Sequence, residues 1–338
     1  MPFPLPLSVL DLVPVASDAT SPQALQHMLD LARLTDRLGY RRFWIAEHHA
    51  TDGFASSATA VLIAAVARET ERIRVGSGGV MLPNHAPLAV AEAFLTLHAL
   101  HPGRIDLGLG RAPGTDPRTA LALRGSAQRL GADDFPQQLA ELEAFAGSGT
   151  FPPGHPFERV SAGFPDVDLP PIWLLGSSTF GAQLAAAQGR GFAFAHHFSP
   201  AHAPAAMRAY RTGFRPSQAM QAPHAILAVS VVCAETEARA DELARTHDLL
   251  WVRLRKGERG PLPTPEEAAA YPYTPADREA AEASRQMLIW GTPDVVRDRL
   301  TELATNLQAD ELMIASHVAS PAERLQGYEL LAEAFATA

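Results

Sequence analysis

Short runs of apolar residues alternate along this chain with longer stretches in which apolar residues recur every three or four positions. Residues 7–12 form a strand pattern. Leu25, Met28, Leu29, Ala32 and Leu38 follow at helical spacing, with Gly39 as a stop signal. Residues 43–46 are a second strand, 57–69 a helix apolar nearly all round, 73–77 a third strand, 87–100 a helix and 105–109 a fourth strand. After a long gap the rhythm resumes with strands at 172–175, 192–195, 226–234 and 311–315. Helices at 182–188, 203–212, 237 to about 256 and 322–336 are interleaved with them. Such alternation implies a parallel sheet with right-handed crossovers. Eight units suggest closure into a (β/α)8 barrel, a TIM barrel, as one domain over residues 1–338. The alternative is an open doubly wound sheet, but no Gly-x-Gly-x-x-Gly follows the first strand.

Three segments depart from this regularity. Residues 111–171, between strands four and five, are rich in Pro, Gly and Asp and read as an insertion packed beside the barrel. Residues 257–286, between strands seven and eight, contain Gly260-Pro261-Leu262-Pro263-Thr264-Pro265. Loops of this length are usually functional or disordered. This one is expected to be a mobile lid that shields reactive chemistry from water, its prolines forbidding a regular helix. Helix 57–69 has almost no polar face, whereas an outer barrel helix should show water a polar stripe. A homodimer built on helices 57–69 and 87–100 would cover it.

Composition narrows the functions. The chain has 338 residues, 47% of them hydrophobic, enough for a large core. With 28 Lys and Arg against 37 Asp and Glu, the formal charge is −9. This argues against nucleic acid and against an anionic membrane surface as partners. Cys233 is the single cysteine, in the apolar setting Ser230-Val231-Val232-Cys233-Ala234, and reads as a buried structural thiol. No disulfide can form within the chain, so a reducing, cytoplasmic setting is expected. No stretch reaches the roughly 18 uninterrupted apolar residues of a membrane span, and Met1-Pro2-Phe3-Pro4 lacks a basic leader start.

In such barrels the active site gathers at the C-terminal ends of the strands. The residues found there are Glu47-His48-His49, Gly76-Ser77-Gly78-Gly79, Gly108-Leu109-Gly110-Arg111, Gly176-Ser177-Ser178 and His196-His197-Phe198. Neighbouring side chains on a strand point to opposite faces. His48 and His49 are therefore poor partners for one ion, and no His-x-x-x-His or cysteine pair adds ligands, so no metal is expected. The histidines serve either as hydrogen-bonded strand-end residues or in proton transfer. Gly78-Gly79 fits either a tight turn or close approach of backbone to a flat ligand. The Gly176-Ser177-Ser178 run suits an ordinary helix cap or a phosphate. Arg111, arriving from the neighbouring strand, favours phosphate.

Leu7-Ser8-Val9-Leu10-Asp11-Leu12, Gly39-Tyr40 through Glu47-His48-His49, the run from Ile73 to His85, the run from Pro102 to Gly114, Trp173-Leu174-Leu175-Gly176-Ser177-Ser178 and Asp310-Glu311-Leu312-Met313 resemble the bacterial-luciferase-like flavin monooxygenases. The likeness is strongest to their single-chain oxidoreductase branch and covers nearly the whole chain. It implies reduced flavin mononucleotide (FMN) as cosubstrate, supplied by a separate reductase, with one atom of O2 passing to a small organic substrate. It implies catalytic roles for His48 and Glu47. It places Ser77, Gly78, Gly79, Arg111, Gly176, Ser177 and Ser178 around the flavin, with a cis peptide between Gly78 and Gly79. Gly110 stands where luciferase has a reactive cysteine, and Gly181 where the close branch usually has serine. Two further readings stay open: a deazaflavin (F420)-dependent hydride-transfer enzyme and a flavin-binding protein without turnover.

Overall fold

The computed structural model describes residues 5–126 and 134–336; residues 1–4, 127–133 and 337–338 lie outside the described residues, the middle group falling within the 111–171 segment. The chain begins with β1 (Leu7–Asp11), α1 (Ser21–Leu38), β2 (Arg42–Ile45), α2 (Thr59–Glu69), β3 (Arg74–Ser77) and a short β4 (Val80–Met81). It continues through α3 (Pro87–Leu100), β5 (Ile105–Gly110), α4 (Pro117–Arg124), α5 (Phe135–Phe145), β6 (Ile172–Gly176), α6 (Thr179–Ala187), β7 (Gly191–Ala195), α7 (Ala203–Gly213) and β8 (Ala225–Cys233). Last come α8 (Glu237–Arg255), α9 (Pro265–Ala270), α10 (Pro275–Arg285), β9 (Leu288–Gly291), α11 (Pro293–Leu307), β10 (Glu311–Ala315) and α12 (Pro321–Ala336).

Strands pair in the order β10-β1-β2-β3-β5-β6-β7-β8, and β10 also pairs with β8, which closes a ring of eight. Every pairing is parallel. The protein is therefore a TIM barrel, and the open sheet is excluded. β1, β2, β5 and β8 are buried at every position. Helices cover one face and side chains fill the barrel on the other, so apolar residues in these strands need not alternate with polar ones.

Two boundary readings change. Residues 111–171 are not all insertion. Phe135, Leu139, Leu142 and Phe145 bury one face of α5 in the main core, where α5 packs against α3 as the barrel helix between β5 and β6. Residues 257–286 are not helix-free, because Pro265 and Pro275 stand at the start of α9 and α10, where proline's missing N–H is unpaired anyway. Thr264 and Thr274 cap these helices by accepting from Glu267 and Asp277 N–H groups. The segment is also tied down at both ends. Leu262 exchanges backbone hydrogen bonds with Val15 and Ser17, and Arg285 pairs with Asp241 and Asp248 on α8. Beyond it, β9 pairs with residues 230–233 of β8 outside the ring.

The floor of the barrel is charged. The Arg42 guanidinium donates to Asp106 on β5 (2.7 Å) and Glu311 on β10 (2.9 Å) and lies 4.4 Å from the Trp173 ring centre on β6. Asp106 also accepts from Arg74 on β3 and the Trp44 indole on β2, and Glu311 from Ser8 on β1. Burial alone would lower the pKa of Arg42, but the two carboxylates raise it, so it stays charged. Removing one member of a buried ion network strands its partners and typically costs about 3–5 kcal/mol. Arg42→Met is thus expected to lower the unfolding free energy by an amount of that order, read as a lower urea midpoint. An unchanged midpoint would show that the barrel closes without this network.

Candidate active site

At the opposite end, where the strands finish, lies a cavity of about 670 Å³. Its wall is largely apolar, with Leu10, Trp44, Leu174, Phe194 and Met313 among the lining residues. Among the described residues that line it, only Glu47 and Arg111 carry formal charge at neutral pH.

Glu47 and His48 follow β2, both reach the cavity, and their side chains take different surroundings. His48 lines the cavity with its ring 5.1 Å from that of Phe54. Its Nδ1 is buried and has no hydrogen-bond partner among the described residues. Burial pushes its pKa down to about 4, against the opposing pull of the Glu47 charge, so the ring is neutral at pH 7. A resident imidazolium is therefore not what this position offers; it offers a neutral donor and acceptor.

The Glu47 carboxylate is not bonded to His48. It holds His49 Nε2 (2.9 Å), His85 Nε2 (2.9 Å) and the Met81 backbone N–H (3.2 Å). Burial would raise its pKa, but the two histidine hydrogen bonds outweigh this and hold it at about 2. Glu47 is a fixed anion that joins the end of β2 to the β4–α3 turn. Its ligand-type atom and those of His49 and His85 lie within 4.8 Å of one another, a set of two imidazoles and one carboxylate satisfied by its own hydrogen bonds.

Gly78 lines the cavity, and its peptide to Gly79 is cis. A Cβ at Gly78 would lie 2.5 Å from the Leu10 side chain, so only glycine leaves this stretch of wall flat. Gly79 packs on β5 instead, where a Cβ would lie 2.7 Å from the Gly108 carbonyl oxygen. Ser77, expected at the cofactor, is fully buried. Its hydroxyl donates to the Gly108 carbonyl (2.8 Å) and accepts from the Gly108 N–H (2.9 Å). These two bonds stitch β3 to β5, and Ser77 is not among the residues that line the cavity.

Arg111, Gly176, Ser177 and Ser178 do converge on the cavity. The Arg111 guanidinium lies 4.3 Å from the Phe180 ring centre and makes no ion pair among the described residues. Ser178 is the N-cap residue of α6, yet its side chain makes no capping hydrogen bond. Gly181, one turn into α6, would bring a Cβ to 3.3 Å from the Leu175 carbonyl oxygen. Glycine here lets the helix start sit close to the strand end, and the first N–H groups of a helix have no partner within it.

A family model described as luciferase-like monooxygenase matches residues 5–311. The chain belongs to the luciferase-like monooxygenase family. A protein of Escherichia coli (strain K12) named luciferase-like monooxygenase is 41% identical over 323 residues, covering 96% of this chain and 95% of its own. The solved structure of apo-MsnO8 is 42% identical, with a TM-score of 0.88 over 99% of this chain and 98% of that one. The oxygenating constituent of a 3,6-diketocamphane monooxygenase from Pseudomonas putida, solved with FMN, superposes with a TM-score of 0.71 at 19% identity over 98% of each chain, a likeness of fold. The protein is a monooxygenase-class oxidoreductase.

Sequence reasoning left several lining residues out of the site. His197 stood in view at the end of the sixth strand, but nothing in its setting separated it from His196. Phe54, Ser230, Trp251 and His317 also line the cavity of this monooxygenase. Trp251 arrives from α8, and Phe54 and His317 lie beyond strand ends on loops without a motif. Cys233 is buried, and burial pushes its thiol up to about 12, as a structural cysteine requires.

The acid behaviour follows from these shifts. Glu47 titrates at about 2 when folded, below its ordinary 4.5. Its contribution is full above pH 4.5 and is lost as pH falls through about 2. His48 and His197 are both pushed to about 4 from 6.5, so the stability that their neutral burial contributes is lost as pH falls from 6.5 through about 4. Glu47→Gln is expected to unfold at lower temperature than wild type at pH 7, with the gap narrowing as pH drops from 4.5 toward 2. Both proteins should already lose stability below pH 6.5. A gap in melting temperature that is constant with pH would mean that Glu47 is not held as an anion.

Proposed function

We propose that this monooxygenase uses reduced FMN and O2 to oxygenate a small organic molecule, the reduced flavin being supplied by a separate reductase. The observation that carries the reading is the pairing of an anion-binding rim with an apolar interior. Arg111 without a carboxylate, and Ser177 and Ser178 at the start of α6, suit the flavin phosphate. The flat wall at Gly78, against Leu10 and Trp44, suits the ring system. Bound reduced flavin supplies the electrons that activate O2. The protein's part is to bind it, to keep water from the apolar chamber, and to offer the His48 ring nitrogens for holding or relaying a proton beside the reacting oxygen.

Parallel titrations of the pure protein with FMN and with the deazaflavin test the cofactor. FMN is expected to bind, and Arg111→Ala to weaken it roughly ten- to a hundredfold, the value of a charge-assisted hydrogen bond. Deazaflavin binding without FMN binding would replace oxygenation by hydride transfer. His48→Ala is expected to lower coupled turnover by roughly 10²–10⁴-fold. Full turnover in that variant would remove His48 from the chemistry.

The same proposal includes a homodimer through α2 and α3. Val61 on α2 is 68% exposed and Leu100 on α3 is 65% exposed, while Leu62, Ala64 and Ala65 on α2 are half-buried. An apolar outer face of this kind favours a second copy. Light scattering should give a mass near two chains, reduced to one by Val61→Glu. A wild-type mass near one chain would end this part of the proposal.

A further inference from the structure

The cavity has two chemically different arcs. Arg111, Ser177 and Ser178, at the ends of β5 and β6, form the arc suited to an anion. Next round the ring stand His197 after β7, Ser230 on β8, Trp251 on α8 and His317 after β10. Among the described residues that line this second arc there is no lysine, arginine, aspartate or glutamate.

His197 is held in one orientation. Its backbone N–H (3.1 Å) and its ring Nδ1 (3.2 Å) both donate to the carbonyl oxygen of Ala228. A carbonyl can only accept, so the ring proton sits on Nδ1. Burial keeps the ring neutral near pH 7, pushing its pKa down to about 4. Nε2, on the side of the ring away from Ala228, is then a lone-pair acceptor. Ser230 lies two residues beyond Ala228 on β8, so both side chains face the cavity. Trp251 is also fixed, because its indole N–H donates to His247 Nε2 at 2.9 Å. The arc thus presents an aromatic wall, one hydroxyl, the neutral His317 ring and one acceptor whose orientation its partner fixes, with no cation.

We propose that His197 Nε2 accepts a hydrogen bond from a hydroxyl group of the organic substrate, so that the enzyme selects neutral, largely apolar alcohols or phenols. The inference rests on the monooxygenase reading and names the substrate class for that site. A ketone or ether would set a second lone pair against Nε2. A carboxylate would lose its hydration on an arc without a positive charge. A hydroxyl is the simplest neutral oxygen group that satisfies the nitrogen.

Calorimetric titration with 2-naphthol, 2-methoxynaphthalene and 2-naphthoate tests this on the intact protein. Wild type is expected to bind 2-naphthol about three- to tenfold more tightly than its methyl ether, the value of one neutral hydrogen bond, and 2-naphthoate least tightly. His197→Phe should erase the preference for the hydroxyl while leaving the methyl ether's affinity unchanged. His197→Gln, which retains an acceptor oxygen, should keep part of it. Equal binding of naphthol and ether by wild type, preference for naphthoate, no binding of any probe, or a preference that survives His197→Phe would each overturn the proposal. The wild-type comparison decides the matter even if the variant fails to fold. An FMN titration of the same samples separates the two readings. Loss of hydroxyl preference with FMN binding intact removes the substrate class alone. Absence of FMN binding with the preference intact removes the cofactor assignment alone.

Discussion

Arg42 connects the strands that a barrel must bring together. Its guanidinium sits at the floor of the ring and reaches β5 and β10, which lie on either side of β2, through Asp106 and Glu311. Arg74 and Ser8 extend the same network to β3 and β1. A buried carboxylate without a counter-ion is costly, so these groups are satisfied together or not at all. The network sets which strands are neighbours at the N-terminal end. The closed ring then leaves its open chamber at the other end, where the strands finish in loops.

The two ends of the barrel treat charge in opposite ways. At the floor, charges are paired with one another. At the mouth, Glu47 is consumed by His49 and His85, and its pKa of about 2 makes it a permanent structural anion. That leaves Arg111 as the one uncompensated charge on the cavity wall among the described residues. Polarity elsewhere comes from neutral imidazoles and serine hydroxyls. Such a chamber can hold an anion at its rim and a neutral molecule deeper in. The burial that keeps His48 and His197 uncharged also strengthens the hydrogen bond that His197 makes to Ala228.

The long connection between β8 and β10 shows how local chemistry and packing divide the labour. Prolines that seem to forbid helices start them, because at the first helical position a missing N–H has no partner to lose. Anchored at Leu262 and again at Arg285, the segment packs over α8, the helix that supplies Leu250, Trp251 and Leu254 to the cavity wall. This part of the wall is thus set by elements about sixty residues before the last barrel strand.

The barrel strands were legible in the sequence because they are buried nearly throughout, so short apolar-rich runs stand out between the helical patterns even though Arg42, Arg74 and Glu311 open their strands with a charge. Gly78, Arg111 and the serines before α6 were legible because a barrel puts its site where strands end. β9 was not: Leu288-Ile289-Trp290-Gly291 is only four residues long between two helices, and it pairs outside the ring. Nor was the division of labour among polar residues. Ser77 and Ser178 look alike in the chain, yet Ser77 meets Gly108 across β3 and β5 while Ser178 reaches the cavity. His48 and His197 look like their histidine neighbours until a partner is known. Which nitrogen carries a proton, which carboxylate is already engaged and which ring faces the chamber depend on residues 30 or more positions apart. Those contacts exist only once the ring has closed, so the sequence determined the barrel and the location of its site, and the tertiary structure decided what each polar group there is free to do.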